Sequence, residues 1–457
     1  MANSSRPFPN QAGRQKAPIP TFDDVKAMWA ASGLRGKILF TILALALYRF
    51  AVLVPVWGVD ANMIQVAAQQ SGGALLGFID MFSGGALTSV SVIALGIGPY
   101  ITSSIVMQLM TVVIPRLEEL QKEEGESGRR KIAQYTRYLT VILAIFQSIL
   151  VLKFIGSVPG AIAVDNMALF YPMAVLAMTA GAIFALWLSE LITERGIGNG
   201  GSLLILAGIL SRLPMYAQQT YELVYNNQEK SFGLLVLLAI YLVIIAAVVV
   251  LQEATRKIMV VSAKRQVGAN RMAGGQSTHI PFKINPAGVM PIIFAFAVLS
   301  FPSTIIQVIQ QNQPTGILQE VVLFWGRYMA PGSVAYIVIE FTLIVFFTFF
   351  YASIIPSMQP KQIAEQLKKY GNAIPGLKPG RPTAEKLEEI LSRTTFIGAI
   401  AIGVITLVAS SITSITGITT LYLGATSLII MVGVALDTMN QIRTHLLARQ
   451  YEGFLKS

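Results

Sequence analysis

The sequence predicts an all-α polytopic membrane protein, and three observations carry that prediction. Of its 457 residues 54% are hydrophobic and only 12% charged, about half the charged fraction of a soluble globule. Apolar runs long enough to cross a bilayer recur along the chain, separated by polar loops. The basic residues gather in alternate loops, as the positive-inside rule requires of a chain that crosses repeatedly.

The elements follow in order. Residues 1–36 form a polar, proline-rich tail, and the apolar run behind it is too long for a signal-peptide core, so the tail is expected to be retained in the cytoplasm. Within it Thr21, with Asp24 three residues on, has the spacing of a helix start. Phe22, Val25, Met28 and Trp29 share one side of that helix, which suits either the membrane surface or packing on the next element. About ten spans follow, at 37–57, 88–115, 137–156, 169–191, 199–217, 232–252, 286–309, 333–355, 395–413 and 420–445. An even number places both termini on one side.

The stretch from Gly72 to Pro115 is hydrophobic throughout, yet it is not written as one plain helix. A short apolar run with a single acid, Asp80, ends at Ser83-Gly84-Gly85, and the longer run after it carries Gly96, Gly98 and Pro99 in its middle. Irregular backbone at membrane depth survives only inside protein or beside water. This stretch is therefore expected to line or block a cavity.

Charge fixes the orientation. Of 34 Lys and Arg, only Arg49, Lys153, Arg212, Lys230 and Arg327 fall on the less basic side, which makes the other side cytoplasmic. The two longest cytoplasmic loops, 253–285 and 356–394, are basic and far longer than neighbouring helices need. Two readings stand: topology determinants resting on anionic lipid, or a docking surface for a large anionic or mixed-charge partner.

Several chemistries are excluded or disfavoured. There is no Cys, which removes disulfides and thiol catalysis, and His279 and His445 are the only histidines, which leaves little for a His-built metal site. The chain lacks G-x-x-x-x-G-K-[ST], H-E-x-x-H and G-x-S-x-G, so neither nucleotide hydrolysis nor proteolysis has its usual groups, and no cofactor is expected. Energy must come from a partner or from the membrane potential. A small-solute secondary transporter is the alternative reading, but it wants ionisable coupling residues at mid-membrane, and the spans offer mainly Arg49 and Glu340.

The runs MFSGGAL (81–87), ALGIGPYI (94–101), EGESGRRKIAQYTRY (124–138), AIFQSI (144–149), ITERGIGNG (192–200), AKRQVG (263–268), GGQSTHIPFKIN (274–285), AGVMPIIFA (287–295) and RQYEG (449–453) closely resemble the SecY family, the central subunit of the bacterial Sec translocon. They come in the family's order, and the resemblance covers nearly all of the chain beyond Leu34.

The resemblance implies a protein-conducting channel that passes unfolded secretory polypeptides and releases transmembrane segments into lipid through a lateral gate between spans 2 and 7. Its fold would be two pseudo-symmetric halves around an hourglass pore, here 37–231 and 232–457. The non-spanning run at 72–85 becomes a plug, with Leu75, Leu76, Phe78, Ile79, Met81, Phe82, Ser83, Gly84 and Gly85. An aliphatic pore ring falls on Ile97, Ile101, Ile205, Ile293 and Ile430, with Gly201 where the family is usually aliphatic.

Gln108 and Asn199 are the polar residues that the resemblance places near the lateral gate, and Ala297 stands where the family often has another. Asn199 also reads simply as a flexible start to the fifth span. Arg49, costing ~3 kcal/mol inside a span on insertion scales, is expected to face the bundle or snorkel outward. Glu340 and Asp437 lie near helix ends, where structural pairing is the expectation.

As partners the resemblance implies SecE, SecG, the SecA motor ATPase, the ribosome, signal-sequence-bearing polypeptides and anionic lipids, and no DNA. Arg256, Lys257, Lys264, Arg265, Arg271, Lys378 and Arg381 are the candidate docking residues. In Pro375-Gly376-Leu377-Lys378-Pro379-Gly380 a Lys replaces the family's Arg, which keeps the charge and loses the bidentate fork. The implied location is the bacterial inner membrane with both termini cytoplasmic, a thylakoid membrane giving the same charge bias.

Overall fold

Long helices pack over a shared apolar core in the computed structural model, which describes residues 32–70, 83–122, 125–226, 230–262, 265–266, 272–273, 277–311, 315–330, 333–354, 359–412 and 425–456. The surface helix expected from Thr21 and plug residues 72–82 lie outside the described residues.

Each expected span overlaps a helix. They are α1 (Ser32–Val52), α3 (Gly98–Val113), α5 (Gly125–Gly156), α6 (Met167–Arg195), α7 (Gly200–Asn226), α8 (Lys230–Glu253), α9 (Met290–Gln311), α11 (Val334–Ile354), α13 (Arg381–Ser410) and α14 (Ala425–Lys456). Among the described residues four shorter helices lie between them: α2 (Ala61–Gln70), α4 (Pro115–Lys122), α10 (Ile317–Tyr328) and α12 (Pro360–Lys369). Among the described residues six helices are long and apolar enough to cross a membrane unaided, or seven if α3 and α4, bent by 104° at their junction, count as one.

Large apolar side chains such as Leu43, Leu47, Leu242, Val243 and Val250 stand exposed on the outer surface, where lipid and not water is the solvent. Hydroxyls inside the bundle satisfy themselves on their own helices. Ser103 Oγ donates to Pro99 O at 2.7 Å, Thr140 Oγ1 to Thr136 O at 2.7 Å and Ser148 Oγ to Ala144 O at 2.7 Å. The core joins α1, α3, α6, α7, α8, α9, α11, α13 and α14 through residues such as Tyr48, Leu188, Leu204, Ile292, Phe294, Phe347 and Ile429.

The second span, expected at 88–115 with irregular backbone around Gly96, Gly98 and Pro99, is helical over only part of that range: the chain runs through tight turns from Gly84 to Ile97 and becomes helical at Gly98. Gly84, Gly85 and Gly96 take positive φ (66°, 94° and 53°), which a continuous helix cannot accommodate, and Pro99 suits a first turn. The irregular backbone is buried in protein, with Ala86, Ser91 and Ile93 at 0–1% exposure. Its amides are spoken for: Val56 N donates to Val90 O and Val92 N to Val54 O, each at 2.9 Å.

The two long basic loops are not loops alone: they carry a sheet. Strands β1 (Thr255–Ser262) and β4 (Ser277–Lys283) pair antiparallel with Ile258 opposite Ile280, and β5 (Asn372–Ala373) pairs with the end of β1 through Val261 and Ala373. β2 (Arg265–Gln266) and β3 (Met272–Ala273) form a separate small ribbon. Along β1 the side chains alternate, Ile258 and Val260 inward, Lys257 and Met259 outward. The inward pair joins Phe282, Ala364, Leu367, Leu387 and Leu391 in a second small core. Thus the two loops, more than 70 positions apart in sequence, fold as one unit.

Candidate functional site

Four isoleucines from three helices converge on one apolar cavity of about 140 Å³. Ile97 caps the start of α3 and Ile101 follows one turn later, Ile205 comes from α7 and Ile293 from α9. Three of them are nearly sealed, with exposures of 2–4%, and Ile101 is half-buried. Ile430 on α14 is fully buried in the same core but does not line this cavity. Gly201 stands beside the group, since a Cβ built on it would lie 3.7 Å from Ile97 Cδ1.

The glycine hinge closes the cavity from one side. Ser83 lines it, and Ser83 Oγ accepts from Leu87 N at 3.2 Å while Ser89 Oγ donates to Gly85 O at 2.6 Å, so 83–89 is a self-bonded turn. Two cations reach this turn from separate spans. Arg49 Nη1, at the end of α1, donates to Gly84 O at 3.0 Å, and Arg212 Nη2, from α7, donates to Thr88 Oγ1 at 2.6 Å. From sequence alone Arg212 counts only as a charge on the less basic side. The signal available was that, like Arg49, it sits inside an apolar span, where a cation must find partners.

The two polar gate candidates occupy different places. Gln108 on α3 donates from Nε2 to Ser104 Oγ at 3.0 Å, and its Oε1 is buried without a protein partner. Asn199 caps α7, its Oδ1 accepting from Ser202 N at 3.2 Å. It also lines a second, more polar cavity of about 490 Å³ with Lys283, Asp437, Gln441 and His445. Ala297 lines the first cavity on α9, whose packing on α3 and α5 forms the seam there. Asp437 Oδ2 lies 3.3 Å from a Cβ built on Gly288. Glu340, 5% exposed in α11, accepts from Ser410 Oγ of α13 at 3.3 Å.

Arg256, Lys257, Lys378 and Arg381 are exposed on the sheet unit, with Arg381 Nε paired to Glu385 Oε1 at 3.0 Å. Arg265 lies on β2, and Lys264 and Arg271 fall outside the described residues. No three His, Asp or Glu among the described residues are placed to hold a metal ion.

Comparison with known proteins gives one answer at every level. A protein-family profile described as SecY matches residues 91–439. The protein translocase subunit SecY of Synechococcus elongatus is 43% identical over 438 residues, covering 94% of this chain and 96% of the relative. That of Mycobacterium bovis is 43% identical over 444 residues, covering 93% and 97%. Among solved structures, one described as a protein conducting channel matches with a TM-score of 0.62 at 16% identity, over 90% of this chain and 92% of that one. Another, a SecY whose plug domain is described as stabilising the closed state and maintaining a membrane seal, matches at 0.64 and 17%, with the same coverage.

Proposed function

Because the chain belongs to the SecY family and is a multi-pass, protein-conducting channel subunit rather than an enzyme, we propose that Ile97, Ile101, Ile205, Ile293 and Ile430 form its constriction, with residues 72–85 as plug. The reading rests on one observation: isoleucines from α3, α7 and α9 meet at a cavity that the glycine hinge also touches. Family membership sets aside the small-solute transporter.

The physical demand is specific. A translocating chain exposes an N–H and a C=O per residue, each costing several kcal/mol if bare in hydrocarbon, so it needs a watery route. An open watery route would leak ions. A narrow aliphatic collar dewets when empty and yields around a chain without polar groups to hold it. The hinged plug adds a second seal, and the half-domains 37–231 and 232–457 part around the axis.

The seam between α3 and α9 is the lateral exit to lipid. Gln108 lies along α3 without a partner on the far side of the seam, and Ala297 offers it none, so apolar packing holds this gate. Asn199 acts from the cytoplasmic mouth with Asp437 and Lys283. The sheet unit bearing Arg256, Lys257, Lys378 and Arg381 is the docking face for the SecA motor and the ribosome. A related channel has been solved as Sec61 in a canine ribosome-channel complex. SecE and SecG complete the complex in a bacterial inner or thylakoid membrane, anionic lipid meets the basic face, and both termini are cytoplasmic.

The absence of native cysteine makes the gate directly testable. Thr102→Cys on α3 and Ala297→Cys on α9, which line one cavity, are bridged by a bifunctional thiol reagent. Bridging is expected to block release of transmembrane segments into lipid. Undiminished release at full bridging would sink the gate assignment.

A further inference from the structure

We propose that Arg49 and Arg212 form a two-point latch on the plug hinge, and that the latch sets how often the resting channel opens. The inference rests on the plug reading, and deepens it by naming what the hinge is fastened to. Arg49 Nη1 grips Gly84 O at 3.0 Å from the first span, and Ser211 Oγ reaches the same carbonyl at 3.4 Å from the fifth. Arg212 Nη2 grips Thr88 Oγ1 at 2.6 Å, and Thr88 Oγ1 in turn lies 3.3 Å from Gly85 O.

The fit explains both glycines. A Cβ on Gly84 would lie 2.6 Å from Gly208 Cα, and one on Gly85 would sit 2.7–2.8 Å from the Arg212 guanidinium. Hinge backbone and guanidinium thus pack face to face, which only glycine permits at these positive φ values of 66° and 94°. Arg212 also holds Met215 Sδ at 3.3 Å, which fixes its fork on its own helix. Both cations belong to the N-terminal half, and each reaches the hinge from a different span. Such charge-assisted bonds are made only while the hinge is seated, so they act selectively on the closed state.

The test uses the full reconstituted translocon in planar bilayers, with conductance read in the absence of any polypeptide, alongside export of a chain bearing a defective signal sequence. Arg212→Ala is expected to raise resting conductance by about tenfold, the effect of losing one hydrogen bond to a charged group, and to export the defective chain. Thr88→Val, which keeps both cations, is expected to move both readouts in the same direction, and Arg212→Lys to restore part of the seal. A deletion of 72–82 serves as the reference. If the deletion leaks while Arg212→Ala and Thr88→Val stay as tight as the parent, the latch is refuted and the plug stands. If the deletion itself stays tight, the plug reading fails and takes the latch with it.

Discussion

Leu387→Ala isolates the sheet unit from the pore. Leu387 is 0% exposed in the small core that ties α13 to β1, β4 and α12. Removing three carbons forfeits ~2.4 kcal/mol of burial at ~0.8 kcal/mol each. The space left behind adds about 1–2 kcal/mol, for a total near ~4 kcal/mol. A core of seven buried side chains has only a few kcal/mol of local stability to lose, so the unit should spend much of its time open. Backbone hydrogen exchange at Val260 in β1 is then expected to accelerate by about a thousandfold, since each ~1.4 kcal/mol is tenfold.

Lys378 and Arg381 would lose their fixed relation to Arg256 and Lys257, and motor-driven export should fall at least about tenfold, while resting conductance stays unchanged. Met259→Ala, on the exposed face of the same strand, is the control and should change stability by no more than ~0.5 kcal/mol. Unaltered exchange in Leu387→Ala would show that the shared core does not hold the two loops together. Rapid exchange with full motor-driven export would show that the unit's geometry does not matter for docking.

Other expectations follow from close contacts. Gly201→Leu places a side chain within reach of Ile97 Cδ1, so it should narrow the collar and lower resting conductance and export rate together, as read in bilayers and vesicles. Gly181→Ala drives a methyl into the Val92 carbonyl, and should cost ~1–3 kcal/mol, seen as a lower yield of assembled complex. Lys378→Ala should weaken motor binding more at low than at high ionic strength, whereas a salt-independent loss would point to packing and not charge. Glu340→Gln keeps the shape that meets Ser410 and should leave export within about twofold, because a structural bond needs no charge there.

Much of this was legible in advance. The spans could be read because each is a long apolar run. The hinge was legible too, since Ser83-Gly84-Gly85 interrupts a hydrophobic stretch that has no other reason to break. What escaped was set by distant partners. Residues 86–97 are as apolar as a span, and besides the positive-φ glycines their pairing with Val54 and Val56 makes them turns instead of helix. The β1, β4 and β5 strands are short runs whose order depends on an element about a hundred positions away. Arg212 needed Thr88, 124 residues earlier, to become more than a surface charge. Asn199, grouped with Gln108 by the resemblance, also serves as the cap of α7 and lines a cavity that Gln108 does not.

The central claim is that a polypeptide passes through the isoleucine collar. A photo-crosslinking residue at position 293, with Lys153 at the far end of α5 as an outside control, meets it most directly once a stalled secretory chain with a signal sequence is presented. Capture at 293 and none at 153 is the predicted result. No capture at 293, from a stalled complex that still engages the basic loops, would mean that the chain docks without entering, and the collar would have to be sought elsewhere.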